Sequence, residues 1–151
     1  MFQKIVVPLD GSKQAESALK PAAFIARAFQ AAIKIVMVEE MPPHLSKDEW
    51  ELTQDEVLDR NRHESEEYLR GLCHEMRSDG CNVSFAVLSL GPAAQRILED
   101  VEAERPDLIV LSSHGRTGLP RVVLGSVAES LARQSPCPVM VVGHHSYGER
   151  Q

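Results

Sequence analysis

Five short apolar runs, none longer than a strand needs, alternate along this chain with longer stretches whose apolar positions recur at helical spacing. The runs are Lys4–Leu9 (KIVVPL), Ala31–Val38, Val83–Leu88, Leu108–Leu111 and Pro138–Val142. Their β-branched content and brevity suit strands buried on both faces of a parallel sheet. The reading is therefore β-α-β-α-β-α-β-α-β, an α/β chain with right-handed crossovers and helices on both faces. In such a sheet the ligand crevice lies beyond the carboxyl ends of the strands, where the winding reverses.

The helical patterns have readable ends. Ala15, Ala18, Leu19, Ala22, Ile25, Ala26 and Phe29 form one pattern, in which Pro21 predicts a kink or an offset. Asp55–Ser78 is a long amphipathic helix, with Leu58, Tyr68, Leu69, Leu72, Cys73 and Met76 inward and Asp79-Gly80 as its stop. Gly91-Pro92 opens a third helix, with proline at its first position, which Pro106 closes. Pro42-Pro43 ends the second strand, and the segment from His44 to about Gln54, with Trp50, reads as a loop or irregular helical entry. Pro8 is expected to remove a ladder donor just where the first strand stops pairing.

Chemistry concentrates in the stretch from Asp107 to Ser126, DLIVLSSHGRTGLPRVVLGS. A buried strand gives way to the small polar turn Ser112-Ser113-His114-Gly115, and a second small pair, Gly125-Ser126, opens a helical pattern of Val127, Ala128, Leu131 and Ala132. Turn amides and the unpaired N–H groups of a helix start can face one anion, and glycine admits close backbone approach. Ordinary turn and capping chemistry explains the same residues equally well. The chain lacks both the P-loop and the Rossmann glycine pattern, so any nucleotide must be held by a different loop. Asp10, in the Asp10-Gly11-Ser12 turn, either meets a ribose or a divalent ion or caps the first helix.

The composition narrows the partners. At 151 residues and 43% hydrophobic, the chain fits one globular domain, taken as residues 1–143, followed by the polar tail 144–151. A formal charge of −6 gives no electrostatic reason to bind nucleic acid or an anionic membrane, so phosphate binding would rest on local backbone geometry with Arg116 or Arg121. Three cysteines without a C-x-x-C pair suggest core packing, and no segment has the pattern of a signal peptide or membrane span. A cytoplasmic location is the resulting expectation. His63, Glu67 and His74 share a stripe whose surrounding charges mark a solvated face rather than a metal site.

Val7-Pro8-Leu9-Asp10-Gly11-Ser12, Ser113-His114-Gly115-Arg116-Thr117-Gly118-Leu119 and Leu124-Gly125-Ser126-Val127 together resemble the universal stress protein family, over Lys4 to Val142. Its ATP-binding members carry glycine, two residues, glycine, nine residues, glycine, then Ser or Thr. Gly115, Gly125 and Ser126 match, and Ser112 stands where the first glycine belongs. The resemblance implies a single-domain three-layer Rossmann-like fold with strand order 3-2-1-4-5. It places the phosphates on Gly115, Gly125 and Ser126, with Ser112, His114 and Arg116 in the same loop. Pro8, Leu9 and Asp10 would line the ribose and adenine side, the Val38 backbone would meet the adenine edge, and Val127 and Ala128 would add amides. It also implies a homodimer built on Pro138–Val142.

The expected function is thus a stress-response protein that binds ATP, or else AMP or ADP, with or without Mg or Mn, as a sensing or regulatory ligand read by an unknown protein partner. No catalytic triad, G-x-S-x-G or paired-carboxylate spacing points to a fast enzyme. The alternatives are a nucleotide-independent dimeric interaction module, which Ser112 favours, and a nucleotide hydrolase or adenylyl-transfer relative.

Overall fold

A computed structural model describes residues 1–41, 52–113 and 124–143. The order is β1 (Lys4–Leu9), α1 (Lys13–Glu16), α2 (Leu19–Phe29), β2 (Ala32–Val38), α3 (Gln54–Ser78), β3 (Asn82–Leu88), α4 (Ala93–Glu104), β4 (Leu108–Ser112), α5 (Ser126–Gln134) and β5 (Val139–Val142). The strands form one parallel sheet in the order β3-β2-β1-β4-β5, as expected. Ile5, Val7, Ile33, Ile35 and Val110 pack under α1, α2 and α3, while Val6, Val36, Ile109 and Leu111 pack under α4 and α5. Alternate residues of each strand therefore serve opposite layers, which is why the runs are apolar throughout. Among the described residues no helix is long and apolar enough to cross a membrane.

Four local readings need correction. The first helical pattern is two helices, α1 and α2, joined through Ser17 and Ala18. Pro21 sits in the first turn of α2, where its ring opposes helical continuity with the residue four before it, so the break precedes the proline. Pro92 is the N-cap of α4, with ψ of 124°, rather than its first helical residue. Ala132 is exposed, because the buried stripe of α5 is carried by Ala128 and Leu131. The start of α3 is a capping box: Glu56 N–H donates to Thr53 Oγ1 at 3.2 Å and Thr53 N–H to Glu56 Oε2 at 2.7 Å. The Thr-x-x-Glu spacing at 53–56 was the sequence signal for it. Val57, absent from the expected inward set, is fully buried, whereas Leu58, Tyr68 and Leu72 are half-buried. Trp50 and the tail 144–151 lie outside the described residues.

Pro8 corrects a fifth expectation and explains the crevice. Pairing of β1 with β2 continues past it, with Pro8 opposite Val36 and Leu9 opposite Met37. Pairing with β4 is confined to Ile5 and Val6. Asp107 N–H donates to the Lys4 carbonyl and Ala32 N–H to the Gln3 carbonyl, so even-numbered residues of β1 turn their backbone groups toward β4. The missing N–H of Pro8 thus falls on the β4 side. There the two strands part, at the point where the sheet order reverses.

Candidate functional site

A cavity of about 290 Å³ opens where β1 and β4 separate. Pro8, Leu9 and Asp10 line it from the end of β1, Val38 from β2, Ser112 from β4, and Gly125, Ser126, Val127 and Ala128 from the start of α5. Every expected site residue among those described therefore borders one space. His114, Gly115 and Arg116 lie outside the described residues, as does Arg121. Ala15, Glu40, Ala93, Ile97, Leu111 and Ser113 also line the cavity and were missed. Ala93 and Ile97 carry only the periodicity of a core helix, so nothing in the sequence distinguishes them as site residues. Ser113 and Glu40 adjoin the expected segments and could have been found by extending them.

Local hydrogen bonds hold this arrangement. Gly125 N–H donates to the Ser113 carbonyl at 2.8 Å, fastening the start of α5 to the end of β4 across the intervening loop. Ser113 N–H in turn donates to the Val142 carbonyl at 2.9 Å. Gly125 is the N-cap of α5, with φ −60° and ψ 156°, and has no side chain with which to cap. The first amides of α5, on residues that face the cavity, are thus the ones a helix cannot pair for itself. Pro92 leaves the start of α4 without a side-chain cap as well. By contrast, α1 is capped by Ser12 Oγ, which accepts from Ala15 N–H at 3.1 Å.

That cap answers the alternative for Asp10. Ser12, not Asp10, caps α1; Asp10 Oδ1 accepts from Ser12 N–H at 2.9 Å and so fixes the turn that presents Asp10 to the cavity. Ser112 and Ser113 are nearly buried, at 8% and 9% exposure, so small hydroxyl side chains form the floor. Val38, Ala93, Ile97 and Leu111 share the α4–α5 layer and give the cavity an apolar wall suited to a flat ring, while Asp10, Ser112, Ser113 and Ser126 supply polar groups. Among the described residues no cluster of three or more His, Cys, Asp or Glu side chains could hold a metal by itself. The His63–Glu67 pair, at 3.5 Å, stands on an exposed face, as expected.

Comparison with known proteins returns a consistent set. The model of the universal stress protein family matches residues 1–143. A universal stress protein of Methanocaldococcus jannaschii is 34% identical over 145 residues, spanning 94% of this chain and 82% of that protein. The solved universal stress protein UspA of Lactobacillus plantarum superposes with a TM-score of 0.78 at 24% identity, over 93% of this chain and 97% of that one. A universal stress protein solved in complex with cAMP gives a TM-score of 0.70 at 23% identity, over 95% and 99% of the two chains. At these identities the two structures speak for the fold, and the sequence matches for the family.

Proposed function

Because this chain belongs to the universal stress protein family, we propose that the cavity between β1 and β4 binds an adenine nucleotide as a sensing or regulatory ligand, with ATP as the leading candidate and AMP or ADP as close variants. The observation that carries the reading is convergence. Pro8–Asp10, Val38, Ser112 and Gly125–Ala128, far apart in sequence, border one cavity. An apolar wall for the base, a carboxylate at Asp10 for the ribose and uncapped helix amides for phosphate form a matching sequence of chemistries. The relative solved with cAMP has the same fold and supports the ligand class. By the family motif, Gly115, with His114 and Arg116 beside it, completes the phosphate side.

Mg or Mn would enter with a polyphosphate rather than occupy a prebuilt site. Asp10 and Glu40 are the carboxylates among the described lining residues, so phosphate oxygens and water would supply most of the ion's ligands. Asp10 would leave room for slow hydrolysis at most. The working compartment is the cytoplasm, and the bound state is read by a protein partner.

The dimer reading gains support from the two sheet edges. On β3 the outward carbonyls of Val83 and Val87 are already taken: Arg77 donates to Val83 O at 2.8 and 3.1 Å, and Arg62 to Val87 O at 3.3 Å. On β5, Val139 and Val141 turn their backbone groups outward with no such cover among the described residues, and Met140 is 39% exposed. An apolar uncovered edge is where a second copy would pair. Val141→Pro removes one outward donor and is expected to shift the chain to monomer in sedimentation; an unchanged dimer would place the interface elsewhere.

Nucleotide content of the purified, denatured protein, followed by calorimetric titration with ATP and Mg, tests the ligand. Co-purified ATP, or binding near the micromolar range, about −8 kcal/mol, supports the reading. A folded protein with neither would favour the nucleotide-independent interaction module. The observation on that side is Ser112, a buried side chain where the ATP-binding pattern has glycine.

A further inference from the structure

Three helices bring an alanine to the β1–β4 cavity from their first turns: Ala15 from α1, Ala93 from α4 and Ala128 from α5. Ala15 and Ala128 are closed in by the core, at 5% and 3% exposure, whereas Ala93 is only half-buried. On α4 the inward stripe runs from Val101 through Ile97 to Ala93, one turn apart each time. Val101 and Ile97 fill their space with branched side chains, buried in the layer that also holds Val36, Val38 and Leu111. One turn further, where the stripe reaches the crevice, the side chain stops at Cβ. The Cα–Cβ bonds of a helix tilt toward its N-terminus, so a longer side chain at 93 would extend toward the cavity. The backbone that carries Ala93 is braced. Arg96 Nε donates to the Leu90 carbonyl at 3.2 Å, and Arg96 Nη1 pairs with Glu99 at 2.9 Å. The guanidinium lies so close over Gly91 that a Cβ there would meet Nε at 2.5 Å. The first turn of α4 therefore has little freedom to retreat, and a larger residue at 93 takes its room from the cavity.

We propose that Ala93 is a specificity-determining residue for the base: by ending at Cβ it leaves the room that a two-ring purine fills, and a larger side chain there turns the cavity toward one-ring bases. The wall around it, formed by Val38, Ile97 and Leu111, is apolar and buried, so it recognises the size and shape of a ring rather than its charge. In an apolar pocket one carbon more or less is worth about tenfold or more in selectivity. The polar start of α5, at Gly125 and Ser126, serves the phosphates that all nucleoside triphosphates share. The inference rests on the adenine-nucleotide reading of the cavity and adds to it the residue that sets the base.

The test uses the full-length chain with two probes, ATP and UTP in the presence of Mg, which share ribose and triphosphate and differ in the base. Wild type is expected to bind ATP about tenfold or more tighter than UTP. In Ala93→Val the ratio of ATP to UTP affinity should fall about tenfold, and in Ala93→Leu further, while UTP affinity stays within about threefold of wild type. Ala94→Val makes the same change at the next residue, which borders a groove on the outer face of α4 beside Leu98 and Glu102, and should keep the wild-type ratio. Melting temperatures identify the folded variants, and valine carries the test where leucine is not accommodated. An unchanged ratio in folded Ala93→Val, an equal fall in Ala94→Val, or equal affinity of the wild type for both nucleotides overturns this inference alone. No binding of either nucleotide by the wild-type chain overturns the nucleotide reading and the inference with it.

Discussion

Replacing Gly125 with Asp should raise or maintain stability while abolishing nucleotide binding. Gly125 has φ −60° and ψ 156°, an extended conformation open to any L-residue, and it is already the N-cap of α5. Aspartate there can accept from the N–H of Val127 or Ala128, and a negative charge suits a helix start. The fold should gain from a few tenths to about 1 kcal/mol. The same carboxylate would occupy amides that the proposed phosphate site uses. Losing one charge-assisted hydrogen bond costs about 1.5–3 kcal/mol. A like charge at about 5 Å, with an effective dielectric constant of about 20, adds about 3 kcal/mol. The combined loss, about 4–6 kcal/mol, is three to four orders of magnitude in affinity. Calorimetric titration with ATP reads the affinity, and urea denaturation the stability. Near-native affinity in a folded Gly125→Asp protein would refute the placement of phosphate at α5, and a drop in stability would refute the capping argument.

Other consequences are more local. Ser112→Gly restores the glycine of the ATP-binding pattern and should leave ATP affinity unchanged or tighter; a loss above tenfold would show that the hydroxyl itself binds ligand. Lys34, 17% exposed, donates to Asp100 at 2.7 Å, with Asp100 12% exposed, so Lys34→Met strands a nearly buried carboxylate and should cost about 3–5 kcal/mol in urea denaturation. Adding Asp100→Leu should restore most of that loss, and a single-variant cost below about 1 kcal/mol would contradict the pairing. Lys4, then Lys34, hold Glu104 below its ordinary value of 4.5, and the backbone N–H groups of Gln3 and Lys4 hold Asp107 below 3.8. Lowered carboxylate values mean stability that is present above the unfolded-state pKa and lost as pH falls through the folded one. The urea midpoint should therefore decline below about pH 4.5 and do so less in Glu104→Gln; an equal acid slope in both proteins would remove Glu104 from the account.

At the opposite, amino-terminal end of the strands, the Lys4, Lys34, Asp100 and Glu104 network ties β1 and β2 to α4. Lys34 lies in an apolar run, and the partner that makes it tolerable is on α4, 66 residues away. That pairing has no local signature in the sequence. The capping box at Thr53 and Glu56 does have one, and it fixes the start of α3 whatever the helix packs against. Pro21 marks a discontinuity in the sequence, but that it separates two helices rather than bending one is seen only in the structure.

What the sequence determined by itself was local and periodic. Short β-branched runs suit strands of a sheet covered on both faces, longer amphipathic stretches suit the helices that cover it, and their alternation implies parallel crossovers. The motif residues Asp10, Gly125 and Ser126 likewise declare the turns in which they stand. Tertiary structure decided what these turns surround. Ala93, Ile97 and Leu111 become cavity wall only because α4 and β4 meet beside β1. Tyr68 shares a cavity with Gly11 of the β1–α1 turn only because α3, packed on β3, brings the two together across the sheet. Such neighbours are set by the path of the chain in three dimensions, where residues distant in sequence share one solvent-excluded space, and no window along the chain contains that distance.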